Sequence, residues 1–150
     1  IKTNPMSLKN IIDKEIKESM LNRNKTRLIA LRAVKAAILL EEKSDKSSVF
    51  DENLLLMKLI KQRKDSLSLY KDQNRSDLAD IEYIEINIIS EFLPEQISDE
   101  KLMEGILKII ENVNASSMKD MGKVMGIATK KYKGQADNSR IAQIVKEKFN

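Results

Sequence analysis

Lys119, Lys123, Lys130 and Lys133 are the side chains whose type and spacing point most directly to chemistry in this 150-residue chain, and that chemistry is the binding of phosphate. They follow Asn114-Ala115-Ser116-Ser117-Met118 in a run that also holds Gly122, Gly126 and Gly134. At ~100° per residue, Met118, Met121, Met125, Ala128 and Tyr132 fall on one side of a helix, while Lys119, Lys123, Lys130 and Gly126 fall on the other. One side suits a core and the other an anion. A glycine inside a helix costs roughly 1 kcal/mol relative to alanine. Gly122 and Gly126, one turn apart, therefore predict that something approaches this helix too closely for a side chain.

The charge distribution agrees. From residue 115 onward there are eight Lys and Arg against three Asp and Glu, a local net of +5 in a chain whose total is only +4. A basic character confined to one region is the electrostatic footprint of a polyanion partner. The plainer alternative is a set of ordinary solvated lysines, in a chain that is 33% charged and in which Lys far outnumbers Arg.

Catalytic constellations are scarce. There is no Cys and no His, which removes thiolate nucleophiles, disulfides, the commonest general base and the commonest metal ligand. Neither a metal nor a cofactor is expected. Ser116-Ser117-Met118-Lys119 has the Ser-x-x-Lys spacing of a lysine-activated serine nucleophile, but no Ser-Asp-Asn or Lys-Thr-Gly element accompanies it. A serine at a helix start is also an ordinary N-cap. Glu41-Glu42 and the pair Glu82 and Glu85 read as charged helix faces with no apolar pocket to separate their pKa values. No Gly-rich nucleotide loop is present.

Two further cationic features carry both a binding and a structural reading. In the stripe Leu56, Ile60, Arg63, Leu67, Tyr70, Arg63 occupies a seam position, where an unpaired guanidinium would be costly. It is either an anchor in a binding groove or, the favoured reading, a structural ion pair with Glu82, Glu85 or Glu41. Arg32 and Lys35, close on one helix, read as a solvated face rather than a ligand site.

The elements that must position these residues are all helical. With 41% hydrophobic residues, 4% aromatic and two prolines, the composition favours helix over sheet, and no stretch approaches the ~20 apolar residues of a membrane span. Ser7 caps a first helix to about Met20, bearing Leu8, Ile12, Ile16 and Met20. A second, from about Thr26 to Glu42, is apolar nearly all round and is expected at the centre of its bundle. Ser44 to Ser48 is a polar loop. Asp51 caps a third helix to about Lys71. Asn74-Arg75-Ser76 is a turn with Ser76 as the cap of a fourth helix that carries the apolar residues Leu78, Ile81, Ile84, Ile88 and Phe92. Pro94 ends it. A fifth helix opens at Ser98 with Leu102, Ile106 and Ile109, and ends near Asn112. Ser116 or Ser117 caps the sixth, Gly134 ends it as a left-handed C′ residue, and Asp137 caps a seventh bearing Ile141, Ile144, Val145 and Phe149. The expected architecture is all-α, a four-helix bundle-like domain over residues 6–93 and a small three-helix domain over 98–150. Ile1 to Pro5 precede Met6 and read as foreign sequence or the remnant of a transit extension.

Four segments carry a resemblance. Arg32-Ala33-Val34-Lys35-Ala36-Ala37, Lys61-Gln62-Arg63-Lys64-Asp65-Ser66, Glu91-Phe92-Leu93-Pro94-Glu95-Gln96 and above all Ala115 to Gly126 resemble the GatB/YqeY family of small proteins, in order and without a large gap from Met6 to Phe149. The resemblance implies a two-part helical fold. It also implies kinship between the C-terminal part and the tail of the GatB polypeptide of the glutamine-dependent tRNA amidotransferase. That enzyme is a carbon-nitrogen ligase with glutamine as amido-N donor, and the GatB tail contacts tRNA rather than catalysing. Lys119, Gly122, Lys123, Gly126, Lys133 and Gly134 carry over as the corresponding RNA-binding positions. Ile127-Ala128-Thr129-Lys130-Lys131 stands where many relatives have a proline-containing run, and the catalytic cradle of GatB is missing.

The expected function is that of a tRNA- or RNA-binding accessory protein without a catalytic centre of its own. RNA phosphates would sit on Lys119, Lys123, Lys130 and Lys133 and at the N-terminus of the seventh helix. The alternative is an adaptor docking on an amidotransferase or an aminoacyl-tRNA synthetase, with Gly122 and Gly126 admitting a partner helix. The expected setting is intracellular, soluble and cytoplasmic, or an organelle matrix if residues 1–5 are a transit remnant.

Overall fold

Local capping decides where most of the helices begin. In the computed structural model, which describes residues 7–44 and 50–149, the Ser7 hydroxyl accepts from the Asn10 amide at the start of α1 (Leu8–Leu21). Asp51 accepts from the Leu54 amide ahead of α3 (Glu52–Asp72), and Ser98 from the Lys101 amide ahead of α5 (Asp99–Val113). Each cap satisfies an amide that the first turn leaves without a partner. Between these lie α2 (Lys25–Ser44) and α4 (Ser76–Ser90); α6 (Met121–Lys131) and α7 (Asn138–Phe149) complete the chain. Among the described residues there is no strand, and the protein is all-α. Residues 1–5 and 45–48, on which the transit-remnant and most of the polar-loop expectation fall, lie outside the described residues; Ser44 itself is the last residue of α2.

Internal packing divides the chain after Leu93. In the first unit α2 packs against α1, α3 and α4, and the core is built from Leu8, Ile12, Leu31, Val34, Ile38, Leu55, Leu56, Leu59, Ile60, Ile86 and Ile89. Although α2 touches all three other helices, it is not buried all round: Ile29 is 61% exposed and Leu40 68%.

The fourth helix departs from expectation. Its buried row is Ala79, Ile86 and Ile89, whereas Ile81 is 51% exposed and Ile84 41%. Both rows are apolar at helical spacing, so periodicity alone does not choose between them, and it is the smaller Ala79 that is buried at the start of the helix. Ser76 is the first helical residue rather than the cap; the cap position is Arg75, whose side chain bonds Asp77 instead.

In the second unit α5, α6 and α7 pack against one another around Leu102, Ile106, Ile109, Val124, Ala128, Tyr132, Ile141, Ile144 and Val145. α5 closes on Asn114, a left-handed residue at φ 54°. The segment following Pro94 is bound into this unit, because the Gln96 side-chain amide donates to the Gly134 carbonyl at 2.7 Å and the Ile97 amide to Gln135 at 3.1 Å.

Candidate nucleic-acid interface

The sixth helix starts later than the sequence suggests. Met118–Asp120 form a 3-10 turn closed by the Asp120 amide on the Ser117 carbonyl, and the Ser116 amide donates to the Asp120 carboxylate at 2.9 Å. Neither Ser116 nor Ser117 caps α6 through its side chain, and neither hydroxyl meets Lys119. The Ser-x-x-Lys segment thus forms the entry to a turn.

The helix buries Val124, Ala128 and Tyr132, a strict i, i+4, i+8 row, with Met121 and Met125 packed at its edges. Met118, assigned to the core side by spacing, is exposed because the 3-10 turn breaks the helical phase before it. Opposite the buried row stand Gly122, Lys123, Gly126, Ile127 and Lys130, all exposed. Lys123 and Lys130 are two turns apart and share a face, about 10 Å along the axis. A Cβ built on Gly122 or on Gly126 meets no atom within 4 Å. Among the described residues, then, no packing contact requires either glycine, and the backbone between the two lysines lies bare.

The other candidates are spread around this face. Lys119 is exposed on the 3-10 turn before the helix and Lys133 in the turn after it. Among the described residues, no hydrogen bond or ion pair engages the side chains of Lys119, Lys123 or Lys130. Lys131 lies over the Tyr132 ring at 5.5 Å.

Two expected contributors are already occupied. Gly134 adopts φ 80°, a conformation that favours glycine. It is buried and its carbonyl is taken by Gln96, so it builds the turn and does not join the exposed face. The N-terminus of α7 holds an anion of the protein's own, since the Asp137 carboxylate accepts from the Arg140 amide at 2.7 Å and from the Ser139 hydroxyl at 2.9 Å. A phosphate there would have to displace it. Arg140, counted in the local positive charge, is committed to Asp99 at 2.7 Å and to the Ile97 carbonyl at 2.6 Å.

In the first unit Arg63 reaches the fourth helix. Its Nε sits 3.5 Å from Glu85 Oε2, with the two side chains 17% and 12% exposed, and its Nη1 donates to the Leu59 carbonyl at 3.1 Å. This is the expected inter-helix ion pair, although Nε itself makes no hydrogen bond. Burial, with the nearby Glu85 charge, raises the pKa of Glu82, and Arg63 offsets part of that. Lys35 pairs with Asp13, while Arg32 is exposed. Among the described residues, no group of three Asp or Glu side chains is placed to hold a metal ion, and no helix is long and apolar enough to cross a membrane.

Residues 9–149 match the family described as YqeY-like protein. The chain belongs to the YqeY-like family. Its relatives include proteins called "Altered inheritance of mitochondria protein 41, mitochondrial" from three fungi. The one from Vanderwaltozyma polyspora is 30% identical over 92% of this chain and 80% of its own length. That of Pyrenophora tritici-repentis is 25% identical over 89% and 76%, and that of Clavispora lusitaniae 28% identical over 68% and 62%. The match runs through both units of this YqeY-like protein, so the exposed face of α6 belongs to a segment within the family's extent.

Proposed function

We propose that this YqeY-like protein is an accessory RNA-binding protein, without a catalytic centre of its own, that holds tRNA or another structured RNA by its phosphates on the outer face of α6. The observation that carries this reading is the coincidence, on one face, of two glycines that relieve no internal crowding with Lys123 and Lys130, which have no carboxylate partner among the described residues. Uncommitted ammonium groups beside accessible backbone amount to a phosphate-binding surface. Lys119 and Lys133 extend it at either end. Few aromatic side chains accompany them, which favours a folded RNA over an unstacked single strand. Kinship with the GatB tail adds support.

A protein partner, such as an amidotransferase or an aminoacyl-tRNA synthetase, is the second reading, favoured by the exposed apolar Ile127 on the same face. Salt separates the two, because counterion release makes phosphate binding fall steeply with ionic strength while apolar docking does not. In a titration of tRNA at several salt concentrations, each Lys→Gln change at 119, 123, 130 or 133 that removes one phosphate contact flattens the log–log slope by about 0.7 to 0.9. The quadruple variant loses orders of magnitude in affinity with its helicity intact. Salt-insensitive binding, or none by the parent at low salt, would transfer the surface to a protein partner. The mitochondrial names of the fungal relatives support an organelle matrix as its compartment.

A further inference from the structure

The outer sides of α2 and α4 carry apolar rows that nothing in the described chain covers. On α2 the row is Ile29, Ala36 and Leu40, within a narrow stripe at ~100° per residue; on α4 it is Ile81 and Ile84, with half-buried Ile88 beside them. The two helices pack against each other, the start of α2 meeting the end of α4 through the Arg27–Glu91 pair at 2.7 Å. A soluble surface seldom leaves two such rows open on neighbouring helices without a use.

Charge says what covers them. Lys25, Arg32 and Lys43 flank the α2 row, all exposed and none in an ion pair among the described residues, while the acids of that helix, Glu41 and Glu42, lie on its other side. The α4 row is flanked by Asp80, exposed and in no ion pair among the described residues, and by Asp77, which shares its charge with Arg75 at the helix start, while Glu85 of the same helix is held by Arg63. A basic amphipathic helix would satisfy α4 and leave α2 uncovered; an acidic one would do the reverse. A second copy of this chain satisfies both at once. A two-fold axis lays the basic apolar row of one copy on the acidic apolar row of the other, and repeats the contact in the opposite sense. We infer that this protein forms a two-fold dimer through α2 and α4, a surface separate from the face of α6.

Sedimentation equilibrium on the full chain tests this with two surface variants, Arg32→Glu/Lys43→Glu and Asp80→Lys/Asn87→Lys. All four positions are exposed, and circular dichroism checks that each variant folds. The parent should be a dimer. Each variant alone places like charges across the contact and should self-associate on the order of 100-fold more weakly, because like-charge juxtaposition is strongly disfavoured. An equimolar mixture restores opposite charges at both contacts and should recover a dimer containing one of each. A parent that stays monomeric at roughly 100 μM, above the Kd expected of a standard-size interface, overturns the inference. So does a variant that dimerises like the parent, or a mixture that does not recover. A monomeric parent that takes up a basic amphipathic peptide on α4 overturns it in favour of an unlike partner.

Discussion

The position a Cβ would occupy on Gly105 lies 1.6 Å from the hydroxyl oxygen of Tyr132 and 2.8 Å from the ring carbon bearing it. Gly105 of α5 is thus crowded where Gly122 and Gly126 of α6 are open. The close approach in this unit is internal, between α5 and the end of α6.

Gly105→Ala should destabilise the protein although alanine is the better helix former. Overpacking of this kind costs about 1 to 3 kcal/mol, more than the roughly 1 kcal/mol gained in propensity. The loss should appear as a lower urea midpoint, and adding Tyr132→Leu should recover part of it.

Gly126→Ala should do the opposite, stabilising by up to ~1 kcal/mol because the new methyl group meets open space. Gly122→Ala should gain less, since Gly122 lies in the first turn of α6. If RNA backbone approaches this face, both variants lose tRNA affinity while melting at a higher temperature. Unchanged affinity would show that the approach is not at the glycines.

Arg63→Ala should cost about 2 kcal/mol. That is below the 3 to 5 typical of breaking a fully buried pair, because Arg63 and Glu85 keep some solvent and lack a linear hydrogen bond at Nε. Replacing both partners, Arg63→Met with Glu85→Leu, should be less damaging than Arg63→Ala alone. A double-mutant cycle by denaturant titration measures the difference.

Glu82 gives a pH dependence of defined sign. Its carboxyl is raised above the ordinary value by burial first and by Glu85 second. The folded state therefore holds this proton more tightly than the unfolded chain. Its contribution to stability falls as pH rises from the ordinary glutamate value through the raised one, and the penalty is fully present at neutral pH. Glu82→Gln should then raise the melting temperature at pH 7, with an advantage that disappears once acid protonates the parent's carboxyl in both states. Equal gains at neutral and acid pH would point to a cause other than ionisation.

What was legible in the sequence was what is decided locally. Ser7, Asp51, Ser98 and Asp137 announce helix starts because a cap is a contact across three residues. The core of α5 and α7 was legible because each has a single apolar row. α4 was not, because it has two rows and only the packing of its neighbours selects Ala79, Ile86 and Ile89. The 3-10 turn at Met118–Asp120 shifted the phase of the basic segment, so Lys119 leaves the line of Lys123 and Lys130. Gly105 gave no signal at all: its reason is a tyrosine 27 positions later along the chain.

The Gln96 side chain and the Ile97 amide reach carbonyls of Gly134 and Gln135. A fragment begun at Ser98, where the helix signal starts, would leave both carbonyls without those donors and would free the Arg140 guanidinium from Ile97. Anyone excising the second unit for crystallisation or labelling should start no later than Glu95, so that the strap closing the turn behind α6 travels with the piece.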